Sequence, residues 1–381
     1  MKFQVANDNG NSEQDMIIGG TGITQPNVHA KVGSIPNMDE VNSTAVLQDI
    51  HNHLIAVVEG TTYYVGQHAL SSGQRCRSIE VGVDNNKVDS NIVYVNTLAH
   101  IAGEACAEAF RKGQDLTKEL PVEVDMATAL PVSYYSRALA QQFAEKFTRK
   151  PHHVLIYAGP QEISVRITFD YVKVIPEGVT AAHAFLHHPE IFESYNKAHE
   201  NKLSPEVMQN ARVLHIAIGE GTTEFPITHD GILFDPDFIS GTNNGNGHAI
   251  DRCIQDFKKI YGLLKFTRQD YSSILKDPTH RYHDTAMELI EPALDDEAEE
   301  ILTMAKEVIV KANNEIDLVA VYGGGSILMR KSLESRLQAF CDRAQIRLLY
   351  VDEGQAVPIE AIGLNEFVNS AMFQEIKKLS A

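Results

Sequence analysis

Three short runs of residues have the composition of phosphate cradles. Asp8-Asn9-Gly10-Asn11-Ser12 lies between two apolar segments, FQVA and MII. Glycine lets a backbone turn tightly and come close to a ligand. Successive N–H groups in such a turn form an anion-binding concavity, to which Ser12 adds a hydroxyl. Asp8 repels a phosphate directly, so its useful role is to hold a magnesium ion through water. Gly219-Glu220-Gly221-Thr222-Thr223 has two glycines around one residue and then two threonines, without the GxxxxGK[ST] spacing of a P-loop. Gly323-Gly324-Gly325-Ser326 follows the apolar run LVAVY and precedes a helical pattern, a geometry that brings a ligand to a helix N-terminus. Each run taken alone also reads as an ordinary turn, since Asp, Asn and Gly are what turns use. Their order and spacing along one chain carry more than any one of them.

Other chemistry is poorly supported. His51 and His53, His152 and His153, and His187 and His188 come in pairs, but none has the i, i+4 spacing of a helical zinc site. Four cysteines stand far apart without a CxxC pattern and read as reduced thiols. No Gly-x-Ser-x-Gly elbow occurs. The formal charge of −18 repels phosphate backbones, so direct nucleic-acid binding is not expected and a basic adaptor would have to bring DNA. No apolar run approaches the roughly 20 residues that cross a bilayer, and the start lacks a signal-peptide pattern. The expectation is a cytoplasmic protein without membrane contact.

These candidates need elements to position them. A chain of 381 residues with 43% apolar residues suggests two domains or a duplicated one. FQVANDNGNSEQDMII and RVLHIAIGEGTTEFPIT share a strand–turn–strand shape, with Gly10 set against Gly219 and Asp8 against Ala217. Between them, alternation predicts strands over 122–130, 154–157 and 163–174, and a 3.6-residue period predicts a helix over Thr97–Arg111. In the second half, a Gly/Asn-rich stretch, SGTNNGNGHAID, leads into a helix running on from Ala249. A further helix is expected from Asp295, with Asp295, Asp296 and Glu297 crowding its first turn against the helix dipole. IRLLYV reads as a strand, and 360–379 as a helical segment packing back on the first half.

In this order the three runs resemble the actin-like ATPase superfamily, which includes actin, the Hsp70 chaperones and the sugar kinases. Asp8, Gly10 and Ser12 match its first phosphate motif, D-x-G-x-[ST]; AIGEGTT is similar to its second, D-x-G-x-G-x-T; and Gly323–Ser326 match its adenosine motif. ALPVSYYSR and FDYVKVIPEG resemble the plasmid-segregating bacterial actins of the ParM kind. The resemblance implies an α/β, ribonuclease H-like duplicated fold. Residues 1–176, completed by 355–381, would form the first domain and 177–354 the second, with ATP (or GTP) and Mg2+ in the cleft between them. It implies ATP hydrolysis, head-to-tail self-assembly into filaments, and a basic adaptor of the ParR kind carrying plasmid DNA. It also implies a water-orienting glutamine or glutamate, which counting from ALPVSYY places at Gln141. One departure stands out. Ala217 occupies the place of the second motif's aspartate, so the metal's water shell is expected to fall to Asp8 and Glu220, with slow hydrolysis. A weakly hydrolysing nucleotide-binding scaffold and a small-molecule kinase of the same superfamily are the rival expectations.

Overall fold

A computed structural model describes residues 1–35, 37–79, 87–199, 202–238, 240–242 and 244–380. The chain forms two compact units: Met1–Leu130, Tyr134–Ile175 and Leu364–Ala381 make unit 1, and Pro131–Ser133 with Pro176–Gly363 make unit 2.

Unit 1 is built on a sheet of strands β1 (Lys2–Asn9), β2 (Glu13–Ile18), β3 (Thr21–Pro26), β4 (Val28–Val32), β5 (Ile55–Val58), β6 (Thr61–Val65), β7 (Arg77–Ser78), β8 (Leu120–Leu130), β9 (His152–Ala158) and β10 (Gln161–Pro176). Their order is β3-β2-β1-β8-β10-β9-β5-β6-β4-β7. Helices α1 (Ser43–Gln48), α2 (Gln67–Ser71), α3 (Asn91–Arg111) and α4 (Arg137–Thr148) accompany it. α3 begins six residues before the expected Thr97, because Ser90 caps it by accepting from Val93 N–H. Nor does it bury one stripe alone: nearly every residue from Ile92 to Ala107 is buried, small side chains such as Ala99, Ala102 and Gly103 allowing neighbours to close in on all sides.

Unit 2 contains α5 (Thr180–His187), α6 (Glu190–His199), α7 (Pro205–Asn210), β11 (Val213–Ile218), β12 (Thr223–Glu224), β13 (Ile227–His229), β14 (Leu233–Phe234), β15 (Gly241–Thr242), α8 (Asn246–Tyr261), α9 (Arg268–Lys276), α10 (His283–Lys311), β16 (Leu318–Tyr322), α11 (Gly324–Ala344), β17 (Arg347–Tyr350) and α12 (Glu353–Ala356). β11 pairs antiparallel with β12 and β13 on one side and parallel with β16 on the other, and β16 pairs parallel with β17. α13 (Ile359–Val368) spans the second boundary between the units, and α14 (Ala371–Ser380) belongs to unit 1. There Lys377 pairs with the buried Asp125 of β8, and Phe367 and Phe373 pack with Ala6 and Ala127.

The two sheets repeat one design. In unit 1, Asp8 sits opposite Asp15 across the first hairpin while β1 runs parallel to β8. In unit 2, Ala217 sits opposite Glu224 while β11 runs parallel to β16. The same seven-residue offset around each turn fixes the same register, so the turn opens from the same end of the central strand.

One expectation is corrected. The helix placed from Asp295 starts twelve residues earlier, at His283, and runs through Pro292. Asp295, Asp296 and Glu297 therefore stand in mid-helix, away from the dipole's positive end. Glu297 is buried and meets Arg252 and Asn244 instead. No described helix is long and apolar enough to cross a membrane.

Candidate phosphate-binding loops

The loop at Gly219–Thr222 takes its shape from the helix behind it. The first N–H groups of α8 have no partner within their own helix, and they reach back to the loop. Asn246 N–H donates to Gly219 O (3.3 Å) and Gly247 N–H to Glu220 O (2.8 Å). The ring of His248 follows, its Nε2 lying 3.2 Å from Gly221 O. Three successive carbonyls are thus turned toward α8. Because each trans peptide points its N–H opposite to its C=O, the N–H groups of Glu220, Gly221 and Thr222 face the other way. Those of Gly221 and Thr222 find no backbone acceptor among the described residues. The loop closes on itself through Gly219 N–H to Thr222 O (2.9 Å). Consecutive N–H groups on one side of a turn are an anion-binding nest.

Glycines bring the supporting elements within range. A Cβ on Gly245, which precedes α8, would lie 2.2 Å from Glu220 O. Gly323 has φ of +93° and caps α11, and a Cβ there would lie 2.4 Å from Ile218 O. β16 runs parallel to β11 with Tyr322 opposite Ala217, so the glycine triplet lies directly beside the loop. The N-terminus of the 21-residue α11, the positive end of its dipole, therefore adjoins the nest. Of the sequence candidates, Gly219, Glu220, Gly221, Thr222, Thr223, Gly323, Gly324, Gly325 and Ser326 are all brought together in unit 2.

Their roles differ. Thr223 is fully buried and donates its hydroxyl to Asn244 O (2.7 Å), so it braces the loop, whereas Thr222 is half-exposed. Ser326 donates to Gly323 O (2.8 Å) and is likewise structural. The Glu220 carboxylate lies 3.8 Å from the guanidinium of Arg268, which also holds Asp251. Ala217 contributes no oxygen.

In unit 1, Asp8 is half-buried near the end of β1, and Gly10, Asn11 and Ser12 turn the chain into β2. A Cβ on Gly10 would lie 2.5 Å from Glu13 O, which explains the glycine. Asn27 lies beneath: its N–H donates to Ser12 O and its Nδ2 to Gly10 O, each at 2.8 Å.

Gln141 lies on the exposed face of α4 and donates to Glu145 (2.8 Å). α4 stands between β8 and β9, so the helix that follows the last strand of unit 1 is α5, entered through Glu177, Gly178 and Val179. Gly178 O accepts from Tyr322 OH (2.6 Å) and Gly178 N–H donates to Glu360 (2.9 Å). Glu177 is therefore tied, through its neighbour and Tyr322, to the strand that carries the glycine triplet. His215, buried on β11, completes this chain: its Nδ1 lies 3.1 Å from Tyr322 OH and its Nε2 2.8 Å from Thr228 Oγ1. Since Tyr322 donates to Gly178, His215 Nδ1–H must donate to Tyr322 and Nε2 must accept from Thr228. Burial holds this imidazole neutral, with its pKa lowered to about 3.

Reading the sequence missed Asn27, Asn244, Gly245, His248 and Glu177. Asn244, Gly245 and His248 lie in the Gly/Asn-rich stretch, whose anomaly was visible without its purpose, and Glu177 lies in the FDYVKVIPEG segment; Asn27 carries no local signal.

A duplicated α/β fold whose two hairpins open from equivalent strand ends, one of them forming an anion nest beside a helix N-terminus, is the fold of the actin type. Residues 6–179 match the sequence model for the N-terminal domain of actin like proteins. The fold is similar to that of the actin-like protein Alp7A, at a TM-score of 0.73 and 16% identity, covering 100% of this chain and 98% of that one. It is similar to Ta0583, an archaeal actin homolog, at 0.65 and 16% identity over 96% and 98% of the two chains. ParM of Bacillus thuringiensis, solved with AMPPNP, matches at 0.60 and 16% identity over 98% and 99%. No curated protein sequence matches the chain.

Proposed function

We propose that the chain binds ATP through its phosphates, hydrolyses it slowly, and assembles head to tail into filaments that act in plasmid DNA segregation. The observation that carries the nucleotide reading is the row of N–H groups at Glu220–Thr222, set by three carbonyls bound to α8. The loop at Gly10–Ser12 is its counterpart in unit 1, a second phosphate-binding turn of the same design. Ta0583 has been solved with ADP and a ParM with AMPPNP, which supports an adenine nucleotide here.

The donor set suits phosphate better than metal. A bound magnesium ion would neutralise phosphate charge, and Asp8 is the residue to hold its water shell. Glu220 joins only by giving up Arg268, and Ala217 offers nothing. Glu177 orients the attacking water ahead of Gln141, because it is anchored to the nest-bearing sheet while the Gln141 amide is engaged by Glu145 on an exposed face. A carboxylate or amide in this role positions water and adds modest base strength.

Filament assembly is a heterologous contact that does not close. A basic adaptor would link such filaments to DNA, since a chain of charge −18 does not bind it directly. The cytoplasm, where plasmids and reduced thiols occur, is the matching compartment. Ala217 and the Glu220–Arg268 pair favour one second reading, a nucleotide-binding scaffold that hardly turns over.

Sedimentation with ATP, ADP and a non-hydrolysable analogue, run beside phosphate release, separates the readings. Pelleting with ATP that declines as phosphate appears supports the filament. Stable pelleting without phosphate release supports the scaffold. No nucleotide-dependent pelleting at any protein concentration rules out the filament.

A further inference from the structure

Asn27 is fully buried in the turn between β3 and β4, where no apolar packing requires an amide. All its hydrogen-bonding directions toward the first loop are used. Its N–H holds Ser12 O at 2.8 Å, and Nδ2 holds Gly10 O at 2.8 Å. Its Oδ1 accepts from Asn96 Nδ2 of α3 at 2.9 Å, and the same Asn96 nitrogen also lies 3.3 Å from Val28 O. Asn96 therefore fixes which way the Asn27 amide faces. An inverted amide would set oxygen against the Gly10 carbonyl and nitrogen against the Asn96 donor.

We infer that Asn27 is a positioning residue for phosphate binding, with Asn96 setting its orientation. With the Gly10 carbonyl drawn inward, the Asn11 N–H of the same trans peptide is directed to the opposite side. A glycine peptide has no side chain to hold that orientation by itself. Unit 2 uses the same device at the equivalent place. There Asn246, which also comes shortly after the strand that pairs with the hairpin's second strand, holds the equivalent carbonyl of Gly219 by its backbone N–H, where unit 1 uses the Asn27 side chain. One protein thus holds each loop from behind by its carbonyls, leaving N–H groups for the ligand. The inference rests on the nucleotide reading proposed above.

The test uses the full chain and a fluorescent ADP analogue, with unlabelled adenosine as a competitor. Asn27→Leu removes the amide while keeping its branched shape. Asn96→Ala leaves Asn27 in place but frees its orientation. The expected result is at least about tenfold weaker ADP binding for Asn27→Leu, roughly the worth of one well-made hydrogen bond. Asn96→Ala is expected to give a smaller loss in the same direction. Adenosine affinity should stay within about twofold of the parent, because a residue that orients a phosphate-facing N–H does not touch the nucleoside. If Asn27→Leu lowers the melting temperature without nucleotide while ADP affinity holds, Asn27 is merely structural and the inference falls. If Asn27→Leu does not fold, Asn96→Ala decides, and unchanged ADP binding there overturns the inference. Equal losses for ADP and adenosine also overturn it. Failure of the parent chain to bind the analogue at all removes the nucleotide reading itself, a result distinct from a variant that binds as the parent does.

Discussion

Acidifying the solution from about pH 8 to about pH 5 should weaken unit 2 through His215. Its imidazole is fully buried, joined to Tyr322 and Thr228, and keeps a pKa of about 3 against an ordinary value of 6.5. Well above 6.5 the ring is neutral in both folded and unfolded chains and contributes no pH dependence. As the pH falls through 6.5, the unfolded chain takes up a proton that the folded chain does not, and stability is lost until the folded pKa is reached. At pH 5 the difference is about 1.5 pH units, or about 2 kcal/mol, growing toward about 5 kcal/mol near pH 3. The folded chain resists the proton because the ring is buried away from water. The chain contains no tryptophan, so helix circular dichroism during denaturant unfolding is the suitable signal. His215→Gln removes the titrating ring, and the parent should lose about 2 kcal/mol more than this variant between the two pH values. Carboxylates affect both chains alike and cancel in the comparison. Parallel pH profiles for parent and variant would refute the reasoning.

Other expectations follow from the same contacts. His29 in unit 1 has its pKa lowered to about 4, mainly by burial, so His29→Gln should flatten the acid slope of that unit in the same sense. Gly323→Ala places a side chain at φ of +93° and 2.4 Å from Ile218 O, whereas Gly324→Ala meets nothing within 4 Å. The first should cost roughly 2 kcal/mol or more and abolish nucleotide binding, and the second should be nearly neutral; melting and analogue titration check both. Lys377→Met leaves the buried Asp125, among the described residues, with the more distant Lys2 at 3.6 Å. Thermal melts should show a loss of roughly 2 kcal/mol and release of α14 to proteolysis. Finally, Glu177→Gln should slow phosphate release by about tenfold or more while Gln141→Ala leaves it within about twofold, as measured in single turnover.

What the sequence determined by itself was the pair of hairpins and the glycine triplet. The reason is local: tight turns accept few residue types, so Gly10, Gly219, Gly221 and Gly323 mark their places without knowledge of the rest. The alternation of β8 and β10 was legible for the same reason, since a strand's period is a property of neighbouring residues. Tertiary structure decided the remainder. That Thr223 braces the loop while Thr222 faces outward depends on Asn244, 21 residues away. Glu220 reads as a free carboxylate in the sequence, and it acquires Arg268 only when α9 packs beside α8. The start of α10 was misplaced because its acidic run resembles a dipole-favoured first turn. In the fold, Glu297 is buried against Arg252 and Asn244, a long-range pairing that local preference does not report. Most of all, the direction in which a loop's N–H groups point is set by what holds its carbonyls. For these loops those partners are Asn27 and the N-terminus of α8, outside the motifs that the sequence displays.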